Sequence, residues 1–132
     1  MATEIMIPQS SARKLARWYD EQLLKKTPVF RGGVYGWIFG LFGQAAVTIA
    51  ETIHLTRYAP DDLSCSDSIA LIGHEMYHVT QQGQMGWWGF LFRYVWHWRP
   101  KHIKSGAEHP LEKPAYERQR EIEQALSDER DP

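Results

Sequence analysis

Apolar positions recur at three- and four-residue steps in three stretches of the chain and cluster or alternate in a fourth, and this division predicts the elements. From Ser11 to about Lys26, Leu15, Trp18, Tyr19 and Leu23 recur among charged neighbours, with Ser10 or Ser11 placed to cap, which predicts a first amphipathic helix over about 11–26. After Pro28 the chain turns β-branched and aromatic with glycine punctuation, VFRGGVYGWIFG, AVTIA and TIHLTRY, where Ile53 and Leu55 alternate with Thr52, His54 and Thr56. That predicts two to four short strands over about 29–58, joined by a glycine-rich turn. Pro60-Asp61-Asp62 makes a turn, and Ser64, Ser66 or Asp67 caps a helix over about 67–82 whose core face is Ile69, Ile72, Met76 and Val79, ended by Gly83 and Gly86. The run Trp87 to Trp98 is hydrophobic nearly all round and stops before Pro100, as a short buried helix would. A last helix over about 111–127 carries Leu111, Ala115, Ile122 and Leu126 on one face. Strands in one block with helices around them predict an α+β fold, a small sheet packed on helices.

Composition narrows the function classes. With 132 residues, 43% hydrophobic and 23% charged, the chain can bury one core and reads as a single domain over 1–132, which excludes disorder. Fifteen Lys and Arg against sixteen Asp and Glu leave no basic excess, which argues against a nucleic-acid partner. Charge drifts along the chain, +3 over residues 1–60, −1 over 61–110 and −3 over 111–132. Gly32 to Ala50 is nineteen residues without a charge, long enough for a bilayer, but five glycines, Gln44 and Thr48 break it into pieces, so a membrane span is disfavoured. The opening MATEIMIPQSSARK shows no secretory signal, so the expected place of synthesis is the cytoplasm, and export would need a dedicated secretion machine. The single Cys65 excludes an intrachain disulfide and cysteine-rich zinc modules, so any metal falls to histidine and carboxylate.

Such a set stands inside the helix over 67–82: His74-Glu75-Met76-Tyr77-His78, an HExxH motif. Positions i and i+4 share one side of a helix, so His74 and His78 can reach one ion, while Glu75, about 100° round, is better placed to touch a metal-bound water as general base. Six His and ten Glu in a chain of this length give a chance expectation of roughly 0.02 for the motif. Two incidental surface histidines are therefore the weaker reading. A catalytic zinc takes three protein ligands and keeps a fourth position for water. Val79-Thr80-Gln81-Gln82-Gly83-Gln84 after His78 removes the metzincin arrangement, so the third ligand must lie farther along. Glu112, thirty-four residues after His78 at the start of the last helix, is the foremost candidate, with Glu108, His109 and Glu117 as alternatives. Pro114 is compatible with a helix beginning near Leu111, because the first helical N–H groups lack intrahelical partners.

The stretches TIAETIHLTRYAP, LIGHEMYHVTQQ, FRYVW and HPLEKPAYE together resemble short bacterial HExxH metallopeptidase domains of the glutamate-zincin type, found in toxin polypeptides and contractile-injection cargo, over residues 29–120. The resemblance implies a zincin-like fold, a Zn2+ cofactor held by His74, His78 and Glu112, Glu75 as catalytic base, a peptide or protein substrate, and a toxin or injection-system partner. The chain departs from the pattern at Tyr116, where many glutamate-zincins carry an Asp that orients a ligand histidine.

With zinc lowering the pKa of its water towards about 7 and Glu75 taking the proton, a carbonyl could be attacked at neutral pH, and the resulting oxyanion would need a donor. Tyr116 and His109 are the foremost candidates, with His97 and His102 behind them, although a packed aromatic is the more ordinary role for each. His54 reads as a residue on an exposed sheet face; were its strand to border the cleft, the free edge could align a peptide. The segment Trp87 to Lys104, with four Trp and four Lys or Arg and no acid, reads as core packing followed by a basic loop ahead of a membrane-surface or single-stranded nucleic-acid platform. The alternative to a peptidase is a module that holds zinc without proteolysis and accompanies toxin or injection cargo.

Overall fold

The computed structural model describes residues 2–97 and 109–130. Its centre is a helix, α4 (Ser66–Met85), whose Ile69, Ile72, Met76 and Val79 are all buried, the face that the spacing assigned to the core. Gly83 lies inside this helix, and the chain leaves it at Gly86, in a positive-φ conformation. Against α4 lies a four-stranded mixed sheet of β1 (Thr3–Ile5), β2 (Val29–Arg31), β3 (Ala46–Ile49) and β4 (Thr52–Leu55), in the order β1-β2-β4-β3. β2 runs parallel to β4, and both outer pairs are antiparallel. Alternation puts Val29, Ile53 and Leu55 into the core, at 1% exposure or less, and His54 on the opposite face. The fold is α+β, with six helices among the described residues.

Several expectations need correction. The helix expected over 11–26 is two, α1 (Gln9–Leu15) and α2 (Glu21–Lys26). Asp20 breaks the run: its side chain accepts from the N–H groups of Gln22 and Leu23 and starts a new helix. The break is useful, because Tyr19 turns inward and its hydroxyl donates to Gly73 O on α4 at 2.6 Å. Part of the glycine-rich strand block is also a helix, α3 (Val34–Leu41). Gly36 explains it, since a Cβ there would stand 2.5 Å from Leu55 O, so a bare patch lets α3 lie directly on β4. The outer side of α3 leaves Trp37 and Leu41 exposed. β1, a strand of three residues, carries too little pattern to be read from sequence.

His54 is not on an open face: it is half-buried, stacked on Phe30 and edge-on to Tyr35 of α3. The expected buried helix at 87–98 is α5 (Trp87–Trp96), and only one side of it faces inward. Phe90 is buried, while Trp88, Phe92, Val95 and Trp96 are exposed, so the apolar residues form an inner stripe and an outer one instead of a surrounded core. Trp98, Arg99, Lys101 and Lys104 lie outside the described residues. No helix among the described residues is long and apolar enough to cross a membrane.

The last helix, α6 (Lys113–Arg130), packs on α4 through Ala115, Ile122 and Leu126. Gly73 makes the approach close enough, since a Cβ there would run into Ile122 Cδ1. That contact, next in sequence to His74, brings the start of α6 alongside the histidine face of α4.

Candidate metal centre

His74 and His78, one helical turn apart on α4, point their Nε2 atoms at one oxygen. Glu112 Oε1 lies 3.2 Å from His74 Nε2 and 2.7 Å from His78 Nε2. Glu112 sits just outside α6: its carbonyl accepts the first helical bond, from Tyr116 N–H, and its own N–H donates to His109 O. It is therefore a capping residue of α6 and not part of its first turn, with Pro114 inside the helix where no N–H is needed. One ligand atom from each of the three residues falls within 4.8 Å of the others.

Two imidazoles and a carboxylate are the donor set of a three-ligand metal site with an open fourth position. Ligand atoms of a tetrahedral zinc stand about 3.3 Å apart for bonds of about 2.0–2.1 Å. The His74 to Glu112 separation of 3.2 Å already matches this, and the His78 contact would open by roughly half an ångström. The residues fit a metal ion.

Glu75 is placed for another role. Its Oε1 accepts from Thr48 Oγ1 of β3 at 3.0 Å, and its Oε2 turns toward His74 Nε2, 3.9 Å away. Thr48 also donates to the Glu75 backbone carbonyl. The side chains of Glu75, His74 and His78 are at most 7% exposed. Phe90 of α5 lies edge-on to His78, and Tyr116 edge-on to His74 at 4.5 Å.

Residues outside the motif hold these groups. Gln81 Nε2 donates to Leu111 O, which directs Oε1 to His78 Nδ1 at 2.8 Å. His78 Nδ1–H therefore stays on Gln81, and Nε2 is the nitrogen available to a metal. Gln82 spans from α4 to the β3–β4 hairpin: its Nε2 donates to Thr48 O and its Oε1 accepts from Glu51 N–H. Ala50 and Glu51, both at positive φ, make that tight turn. Tyr94 of α5 donates to Glu112 Oε2 at 2.9 Å. His74 Nδ1, buried, has no hydrogen-bond partner among the described residues, and the Tyr116 ring packs edge-on against the His74 ring.

The structure thus brings together His74, Glu75, His78, Glu112 and the Tyr116 ring. Glu117 is an exposed residue of α6 outside this cluster. His109 is fully buried with both ring nitrogens on backbone groups, Nδ1 accepting from Leu111 N–H and Nε2 donating to Tyr94 O, so its place is to tie α5 to the turn before α6. That corrects the expectation of His109 as an oxyanion donor or ligand. His97 packs edge-on to His109 at 6.3 Å. His102 and Glu108 lie outside the described residues. Sequence reasoning did not find Thr48, Gln81 or Tyr94; the Gln81-Gln82 pair, one turn beyond His78, was the available signal.

Burial disfavours a charged His78, but the Glu112 carboxylate on its Nε2 outweighs this, and the imidazolium pKa is pushed up to about 9. Burial would raise the Glu112 carboxyl, yet hydrogen bonds from His74 and His78 hold it well below the usual carboxylate range. Burial and the carboxylates of Glu112 and Glu75 push the Tyr116 hydroxyl up, so it stays a donor at neutral pH. Below about pH 9 His78 holds a proton that must leave before Nε2 binds metal, so metal affinity is expected to fall as the pH drops below that value. Calorimetric titration at pH 7 in two buffers of different ionisation enthalpy should show at least about one proton released per metal bound, from His78, with ionisation of a metal-bound water adding to it; no release would contradict it.

A family model described as the eCIS core domain, of the extracellular contractile injection systems, matches residues 6–86. No curated protein and no solved structure matches the chain. The matched stretch covers more than half of the chain and contains His74, Glu75 and His78 at its C-terminal end, with Glu112 beyond it. The chain therefore belongs to the eCIS core domain family.

Proposed function

We propose that the chain is a zinc-dependent metallopeptidase associated with injection-system cargo, with His74, His78 and Glu112 as the zinc ligands and Glu75 as general base. The observation that carries this reading is the convergence of two α4 imidazoles on Glu112 Oε1 with Glu75 beside them, its Oε2 turned toward the same point. Bound zinc would supply Lewis acidity, making water easier to deprotonate and a carbonyl easier to attack. Glu75 takes the water's proton on Oε2, because Thr48 holds Oε1, and can pass it on to the leaving amine. Gln81 keeps His78 in the tautomer that leaves Nε2 for the metal. Tyr116, packed on His74, is the proposed donor to the oxygen on which charge builds.

The His54 strand offers no free edge to a peptide: β4 is an interior strand of the sheet, and on β3, its outer neighbour, the carbonyl of Thr48 is already taken by Gln82 Nε2. A partner in an injection system is supported by the family assignment.

One observation favours a second reading, a module that holds metal without proteolysis: the side chains of His74, Glu75 and His78 are at most 7% exposed, with Phe90 packed on His78. The deciding experiment incubates zinc-loaded protein with a broad peptide library. Cleavage that stops on chelation and returns with zinc is expected; a protein that binds zinc stoichiometrically and cleaves nothing in the library would favour the second reading.

A further inference from the structure

A carboxylate beside a metal can bind through one oxygen or both, and the choice decides whether a position stays open. In this protein the two oxygens of Glu112 are already in different hands. Oε1 faces both ligand histidines, and Oε2 accepts from the Tyr94 hydroxyl at 2.9 Å. Tyr94 comes from α5, eighteen residues before Glu112, so its hold on the carboxylate depends on how α5 is fixed to the turn that carries Glu112.

That fixing is visible. His109 Nε2–H donates to Tyr94 O at 2.8 Å while its Nδ1 accepts from Leu111 N–H, and the Tyr94 and His109 rings stack at 4.2 Å. Gln81 Nε2 holds the Leu111 carbonyl of the same turn. The inner stripe of α5 continues the contact, with the Phe90 and Tyr94 rings 5.7 Å apart and Phe90 against His78. Tyr94 is thus tied at its carbonyl and at its hydroxyl to one short turn, from His109 to Glu112. A phenol is suited to the task, since its rigid ring spans the gap and its O–H is a neutral donor that puts no competing ligand charge in the site.

We propose that Tyr94 is the positioning residue that makes Glu112 a one-oxygen ligand, by keeping Oε2 engaged so that only Oε1 is offered to the metal and a fourth position stays open for water or substrate. The proposal rests on the reading of His74, His78 and Glu112 as a metal site, but not on peptidase activity.

Full-length protein and its Tyr94→Phe variant are stripped of metal and titrated with Zn2+ and with Co2+ against a competing chelator. Removing the hydroxyl alone is expected to weaken metal binding about 10- to 100-fold, the usual cost of losing an outer partner of a ligand. The cobalt form is expected to lose d–d absorption intensity, because a carboxylate released at Oε2 swings to two-oxygen binding and raises the coordination number. A merely structural role would lower the melting temperature and leave the cobalt spectrum unchanged. X-ray absorption of the zinc-loaded wild type needs no variant to fold, and should show a carboxylate bound through one oxygen. Unchanged affinity and spectrum in Tyr94→Phe, or a two-oxygen carboxylate in the wild type, would overturn the proposal. A wild type that takes up neither ion would overturn the metal-site reading, and this proposal with it.

Discussion

Glu75→Gln is expected to cut peptide hydrolysis about 10²- to 10⁴-fold, a loss of about 3 to 5 kcal/mol in transition-state stabilisation, while zinc content stays that of the parent. The two halves of this result come from different atoms. Glu75 is not among the three groups that converge on the metal position, so an amide there removes no ligand. Glutamine keeps the shape of the side chain, and its carbonyl oxygen can accept from Thr48 Oγ1 as Oε1 does, so α4 and β3 stay joined. What disappears is the lone pair that accepts a proton at neutral pH. Side-by-side turnover and metal analysis of parent and variant read both halves. A variant as active as the parent would remove Glu75 from the mechanism.

Glu112→Ala is expected to lose metal, beyond the roughly 10- to 100-fold that removal of an outer partner costs, because it deletes a ligand atom itself. Its Oε1 is the common point of the two imidazoles, and among the described residues no other carboxylate of α6 is grouped with them. Glu117→Ala is the internal control, since that carboxylate stands five residues on and outside the cluster, and its variant should keep parental affinity. Metal retained in Glu112→Ala but lost in Glu117→Ala would reverse the ligand assignment.

How much of this was legible in the chain follows from the range of each signal. His74, Glu75 and His78 are separated by helical spacing, which sequence reports directly, and the buried face of Ile69, Ile72, Met76 and Val79 fixed how that helix sits. Glu112 was reachable because HPLEKPAYE resembles a downstream ligand segment at a helix start, with Pro114 merely compatible with that start. The Thr48, Gln81 and Tyr94 contacts were not, since each joins elements far apart in sequence, Thr48 to Glu75 across 27 positions and Gln81 to Leu111 across 30. Local composition says nothing about such pairings.

The errors of element type have a common origin. An apolar run rich in glycine satisfies a strand pattern, yet the bare side of Gly36 against Leu55 O lets the same residues pack as a helix, a tertiary effect no window contains. In α5 the even spread of aromatic residues suggested burial on all sides, but one stripe faces inward, with Phe90 on His78, and the other lies exposed. At Asp20 the signal was present: a capping aspartate followed by Glu21 in the first turn of α2 outweighs a continuous periodicity.

An anomalous difference map from a crystal of the zinc-loaded protein, collected at the zinc edge, locates the ion directly. One peak is expected, within bonding distance of His74 Nε2, His78 Nε2 and Glu112 Oε1. A map with no peak among those three atoms, or with its zinc held by other side chains, would contradict it.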